Sequence, residues 1–192
     1  MRAAGDSLPF VAVYADESCL GNGREGENPG GAGGVIEYPR PRSAKVMRLD
    51  YWISEPATTN NRMALRSAIE ALRILSRKDK RLRVRFTSDS QYLVKGMREW
   101  LPGWKALGWR RREGAIGNLE LWRQADALAS GHEIEWEWVR GHNKHPQNEY
   151  ADHLATRAAR EQSRSDGPLP SLYEEWLADQ QAKGRLPASL NS

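Results

Sequence analysis

The chain is short of several things, and each shortage narrows its chemistry. Cys19 is the single cysteine in 192 residues. That excludes an internal disulfide framework and any multi-cysteine metal site, and leaves carboxylates and the four histidines as ligands. A metal held by such groups is a hard, oxygen-bound ion. No stretch approaches the ~20 apolar residues that span a bilayer, so no membrane partner is expected. The opening MRAAGDSLPFVAVYADES lacks the order of a secretory leader, because Asp6 precedes a short apolar run that ends at Asp16 and Glu17. A cytoplasmic location is the expectation. No internal repeat is visible, and the length suits one ordinary domain with a tail.

What is present leans basic, with a net charge of +4. The placement of charge matters more than its sum. From Gln91 to Arg112 stand Lys95, Arg98, Lys105 and Arg110 to Arg112 against Glu99, interleaved with Trp100, Trp104 and Trp109. Such a stretch suits a polyanion with bases or sugars to pack against, or else a solvated helix face whose tryptophans enter the core. Both readings stay open at this point.

Phe10 to Ala15 reads as a buried strand. The glycine-rich GNGREGENPGGAGG is expected to turn, VIEY to return as a second strand, and Lys45 to Ile53 to form a third. Thr58, Thr59 and Asn60 are N-cap types ahead of MALRSAIEALRIL, whose apolar residues fall at helical spacing. Leu82, Val84 and Phe86 alternate with arginines up to Asp89, and Ile134, Trp136 and Trp138 alternate with glutamates. Between them lie two short helical pieces, around Tyr92 to Met97 and Glu99 to Leu107, and a helix near Leu119 to Ala129. Pro146 suits the first position of a helix running to about Glu161. The order βββαβα…αβα predicts an α/β fold, a mixed sheet with helices on its faces.

Asp16 ends the first strand, Asp89 follows the fourth, and Asp152 lies in the helix after the fifth. Parallel strands deliver their carboxyl ends to one edge, so three carboxylates can gather there. They would repel one another without a cation, and Mg²⁺ or Mn²⁺ suits them. Two such ions can activate a water and stabilise a leaving oxygen in phosphoryl displacement.

The segments YADESCLGN, TTNNRMAL, SDSQYLVKGM, EWLPGWKALGWRRR with NLELW, and WEWVRGHNKHPQNEYADHLA resemble, in order, the bacterial type 1 ribonuclease H family over about residues 10 to 160. The resemblance implies the ribonuclease H fold, with a five-stranded mixed sheet: three antiparallel strands, then parallel ones. It also implies cleavage of the RNA strand of RNA/DNA hybrids to 5′-phosphate and 3′-hydroxyl ends, with two Mg²⁺ or Mn²⁺ ions when substrate is bound. Carried over by motif, Asp16, Asp89 and Asp152 are metal ligands, and His142 assists proton movement or product departure. Cys19, Asn22, Asn60, Asn61 and Gln91 would face the minor groove, where amides meet 2′-hydroxyls. Thr59 and Asn118 would seat a DNA-strand phosphate, and the Trp100 to Arg112 stretch, with Trp104, resembles the family's basic handle. Ordinary capping is the plainer role for the Asn and Thr residues.

Two departures stand out. Ala64 occupies the position of the family's glutamate ligand, and Glu17 follows the first Asp where the family usually has Gly. Carboxylate relocation to Glu17 is one reading, although neighbours on a strand point to opposite faces, so a bulge or a strand end would be needed. Glu149, one helical turn before Asp152, is the next candidate. The alternatives are a hybrid-binding protein without catalysis and, further off, a nuclease of the same superfold that cuts DNA. The insertion GREGEN after Asn22 reads as loop decoration. Domain bounds of 8–162 are expected, with 163–192 as linker and short C-terminal helix. In that tail anions outnumber cations, which argues against nucleic-acid contact, and Leu172, Trp176 and Leu177 form an apolar face. A monomer is expected.

Overall fold

The computed structural model describes residues 10–21, 28–39, 45–77, 79–141 and 145–187. Its strands are β1 (Phe10–Cys19), β2 (Gly30–Pro39), β3 (Val46–Glu55), β4 (Arg83–Ser88), β5 (Glu133–Trp138) and β6 (Leu169–Pro170). Its helices are α1 (Asn60–Ser76), α2 (Gln91–Lys95), α3 (Leu101–Ala106), α4 (Leu119–Ala129), α5 (Pro146–Glu161) and α6 (Tyr173–Ala182), with a π-helical turn over Gly96–Trp100 joining α2 to α3. The sheet order is β5-β4-β1-β2-β3-β6. β1, β2 and β3 pair antiparallel, whereas β4 runs parallel to both β1 and β5. This is the ribonuclease H fold, with six strands in the described residues where five were expected.

The extra strand comes from the tail. Leu169 and Pro170 pair with Asp50 and Leu49 of β3. Buried Asp50 then accepts hydrogen bonds from the Tyr150 hydroxyl of α5 at 2.6 Å and from Leu172 N–H at 3.1 Å. The tail's apolar face also differs from expectation. Tyr173 is the residue buried, with Trp176 and Leu177 packed around it, while Leu172 is 55% exposed because its backbone, not its side chain, makes the contact.

The glycine-rich segment also enters the sheet. Gly30, Gly31, Gly33 and Gly34 lie inside β2, where a turn was expected. The reason is close approach: a Cβ at Gly33 would lie 2.6 Å from the Leu154 Cβ and 2.8 Å from Ala155 N, and one at Gly31 would strike the α5 backbone. Missing side chains let α5 sit directly on the sheet. On the opposite face, α1 buries Leu65, Ala68, Ile69 and Leu72 against Val11, Val13, Val84 and Phe86. Thr59 caps it by accepting from Arg62 N–H at 3.3 Å.

His132 pins the start of β5 to α1. Its Nδ1 accepts from Leu82 N–H at 3.3 Å, and its Nε2–H donates at 3.2 Å to Ser76 Oγ, whose hydroxyl donates to Leu72 O. Only the neutral ring satisfies both contacts. Burial pulls its pKa below the ordinary 6.5, so the unfolded chain takes up the proton first. The neutral ring's contribution is therefore complete above the unfolded value and is lost as pH falls through the lower folded value. Denaturant unfolding across pH should show stability declining more steeply below 6.5 in the native chain than in His132→Gln; parallel curves would contradict this.

Candidate active site

β4 ends at Ser88, opposite Ala15, but β1 continues to Cys19. Residues 16 to 19 of β1 therefore have β2 on one side and no β4 on the other. Here the side chains of both sheet faces can meet.

Asp16 pairs with Gly33, whose face is covered by Leu154 and Ala155 of α5. Its Oδ2 accepts from buried Asn148 Nδ2 at 3.2 Å, and its Oδ1 from Glu17 N–H at 2.7 Å. Glu17 pairs with Ala32, which packs with Met63 of α1. Directly opposed residues share a face, so Glu17 leaves the sheet on the α1 side. That is the side covered by the helix bearing Ala64, which is wholly buried. The register shows neither slip nor bulge between Asp16 and Glu17. The open flank beyond Ser88 stands where a bulge or a strand end was expected to be needed.

One carboxylate oxygen each from Asp16, Glu17 and Asp89 lie within 4.8 Å of one another. Asp89 follows β4 directly, and its backbone carbonyl accepts from the Trp138 indole at 2.9 Å. A Cβ on Gly141 would collide with the Asp89 carboxylate, so that position gives the acid its room. The Ser90 hydroxyl favours the charged form of Glu17, and Ser90 also caps α2 through Leu93 N–H. Asp152 is half-buried, accepts from Thr156 Oγ1 at 3.3 Å, and adds to the repulsion on Asp16.

Mutual repulsion shows in the acidities. Burial first, then Asp89, Glu17 and Asp152, holds the Asp16 carboxyl far above the usual carboxylate range. Burial, with Asp89 next, pushes Glu17 up to about 8. A divalent cation offsets this cost, and an all-carboxylate donor set fits Mg²⁺ or Mn²⁺. Of the expected ligands, Asp16, Glu17 and Asp89 are brought within 4.8 Å of one another, and Asp152 is near enough for its charge to act on Asp16. Glu149 instead borders a cleft between α5 and α6 together with Asp152.

The remaining expected contacts spread along the adjoining surface. Asn61, Trp100, Trp104 and Asn118 line one groove of about 660 Å³, with Arg111 at its rim. The tryptophans also pack on the core, their rings 5.9 Å apart, as one of the two readings of that stretch expected. Asn118 adopts a left-handed backbone and donates to the Tyr92 hydroxyl at 3.3 Å without capping α4. Thr59 caps α1 and does not line the groove, and Asn60 beside it keeps a buried Oδ1 unpartnered among the described residues. Gln91 is exposed at the start of α2, and the Cys19 thiol donates to Thr58 O. Asn22, the GREGEN insertion up to residue 27, and His142 lie outside the described residues. Asn148, Ser90 and Gly141 went unnoticed as site residues; Asn148 sits four residues before Asp152 inside the quoted motif, a legible signal.

A mixed sheet flanked by helices, with acids gathered where parallel strands end, is the α/β architecture of the ribonuclease H fold. Residues 9–160 match the RNase H family, and the chain belongs to it; its members are endoribonucleases. The chain is similar to the ribonuclease H of Cupriavidus necator, at 47% identity over 77% of this chain and 93% of that protein. It is 43% identical to the ribonuclease H of Stutzerimonas stutzeri over 77% of this chain and 90% of the relative. Among solved structures it resembles LC9-RNase H1, described as a type 1 RNase H with the type 2 active-site motif. There the TM-score is 0.88 and the identity 57%, covering 95% of this chain and 88% of the other.

Relief of repulsion gives a direct check. Mg²⁺ at ten times its dissociation constant should stabilise the native chain by ~1.4 kcal/mol. Asp89→Asn, having one acid fewer, should melt higher than the native chain without metal and gain less from Mg²⁺ in calorimetry. An equal Mg²⁺ gain in both would contradict the shared site.

Proposed function

We propose that the chain is a metal-dependent endonuclease that cuts the RNA strand of RNA/DNA hybrids, with Glu17 standing in for the carboxylate absent at Ala64. The observation that carries this is the convergence of Asp16, Glu17 and Asp89 within 4.8 Å, from both faces of the sheet. The description of LC9-RNase H1 as carrying the type 2 motif on a type 1 protein supports a carboxylate set that departs from type 1.

Asp16, Glu17, Asp89 and Asp152 would together hold the divalent ions that the reaction needs. When bound, the ions neutralise charge developing on the phosphate and activate water, giving 5′-phosphate and 3′-hydroxyl ends. The chain's other groups hold this arrangement. Asn148 fixes the Asp16 carboxylate, Ser90 orients Glu17, and Gly141 leaves space for Asp89. His142 is assigned by its motif to moving a proton or helping product leave. Asn60, Asn61, Gln91, Cys19 and Asn22 would meet the minor groove, where an amide can pair with a 2′-hydroxyl and so tell RNA from DNA. Asn118 and Thr59 would take a DNA-strand phosphate, and the basic residues around Trp100 and Trp104 add salt-sensitive affinity.

Ala64, closed into the core with no carboxylate, favours the second reading, a hybrid binder without catalysis. A gel cleavage assay over Mg²⁺ and Mn²⁺ concentrations separates the two, since tight binding without product supports the binder. For the enzyme, Glu17→Gln should lower cleavage at least ~100-fold, the scale for loss of a group supporting metal affinity or activity. Unchanged cleavage by Glu17→Gln eliminates relocation.

A further inference from the structure

α6 lies beyond residues 9–160, the span matched to the family, and with α5 it encloses a cleft of about 560 Å³. The cleft begins at the candidate active site, because Asp152 lines it. Thr156 and Arg160 continue from Asp152 at four-residue steps along one face of α5. Arg157 joins them, its guanidinium 4.5 Å from the Trp52 ring centre, and the opposite wall brings Lys183 and Arg185.

The charges sort by position. Glu149 and Asp152 belong to the carboxylate end. Farther along, four cations face Glu161 and Asp179, and Asp179 is already engaged by Lys183 at 2.6 Å. Glu174, another acid of α6, pairs with Arg48. The tail's overall excess of anions therefore does not describe the face it turns to the cleft. Arg160 is exposed and has no ion pair among the described residues, and the Arg185 side chain makes among them only a long contact to Gln180 Oε1 at 3.5 Å. Guanidinium forks of this kind match phosphate oxygens.

Distance selects the ligand. Arg160 stands eight residues, ~12 Å, beyond Asp152 along the helix. A duplex strand carries one phosphate per ~3.4 Å of helix axis, so phosphates a few nucleotides from the cut one fall within that reach. We infer that the α5–α6 cleft holds the phosphodiester backbone of the RNA strand a few nucleotides from the scissile linkage, with Arg160 and Arg185 as its phosphate contacts. Asp152 fixes the strand: phosphates contiguous with the one being cut belong to the RNA. The inference rests on the hybrid-cleavage reading and extends its footprint onto a segment outside the matched family span.

The test is binding of a labelled RNA/DNA hybrid in EDTA, titrated with salt, to the full chain and to Arg160→Gln/Arg185→Gln. Losing two phosphate contacts should make the slope of log affinity against log salt shallower by about 2 and weaken binding about tenfold at moderate salt. The doubly conservative Arg160→Lys/Arg185→Lys variant should keep the native slope, which shows that charge and not folding is at stake. Of two hybrids shortened on either side of the cleavage point, one should lose the difference between native and Gln variants. An unchanged slope, or a difference that persists on both shortened hybrids, overturns the inference. Absence of cleavage by the native chain with Mg²⁺ would overturn the parent reading instead, and the EDTA binding slopes separate the two failures.

Discussion

Carboxylates repel, and the whole site depends on the chain forcing three of them together where β4 stops short of β1. Because Ser88 is the last residue of β4 and pairs with Ala15, the next residues of β1 have an open flank. Asp16 approaches that flank from the α5 side, Glu17 from the α1 side, and Asp89 from the end of β4 itself. Crowded together, such groups resist ionising, and a divalent ion would let all three hold charge. Close packing of α5 on glycines of β2 and the hydrogen bond from Asn148 keep Asp16 from turning away.

The same geometry gives the Ala64 departure a physical meaning. A carboxylate at residue 64 would come from α1, and Glu17 comes from the sheet face that α1 covers, by way of Ala32 and Met63. Glu17 and a side chain at residue 64 therefore lie on the same side of the sheet. Ala64 itself is closed fully into the core.

Much of this was legible in the residues. The strand and helix order, the Thr59 cap, Pro146 opening α5, and Asp89 at the end of β4 all follow from local patterns, whereas β1 runs on past Asp16 to Cys19. What was hidden depended on distant partners. The β2 glycines look like turn formers until α5 is seen lying on them, and the tail looks like a linker until Asp50 collects the Tyr150 hydroxyl and the Leu172 amide. Glu17 was legible as a residue out of pattern. Whether it could reach its neighbours depended on where β4 ends, a fact of strand register that alternation along one strand does not encode.

The most direct test is a crystal soaked in Mn²⁺ and measured for anomalous scattering. The account predicts an ion with oxygens of Asp16, Glu17 and Asp89 all within ~2.3 Å, the reach of a hard divalent ion and its carboxylates. An ion held by Asp16 and Asp89 with Glu17 turned away, or no ion among the three, would contradict it.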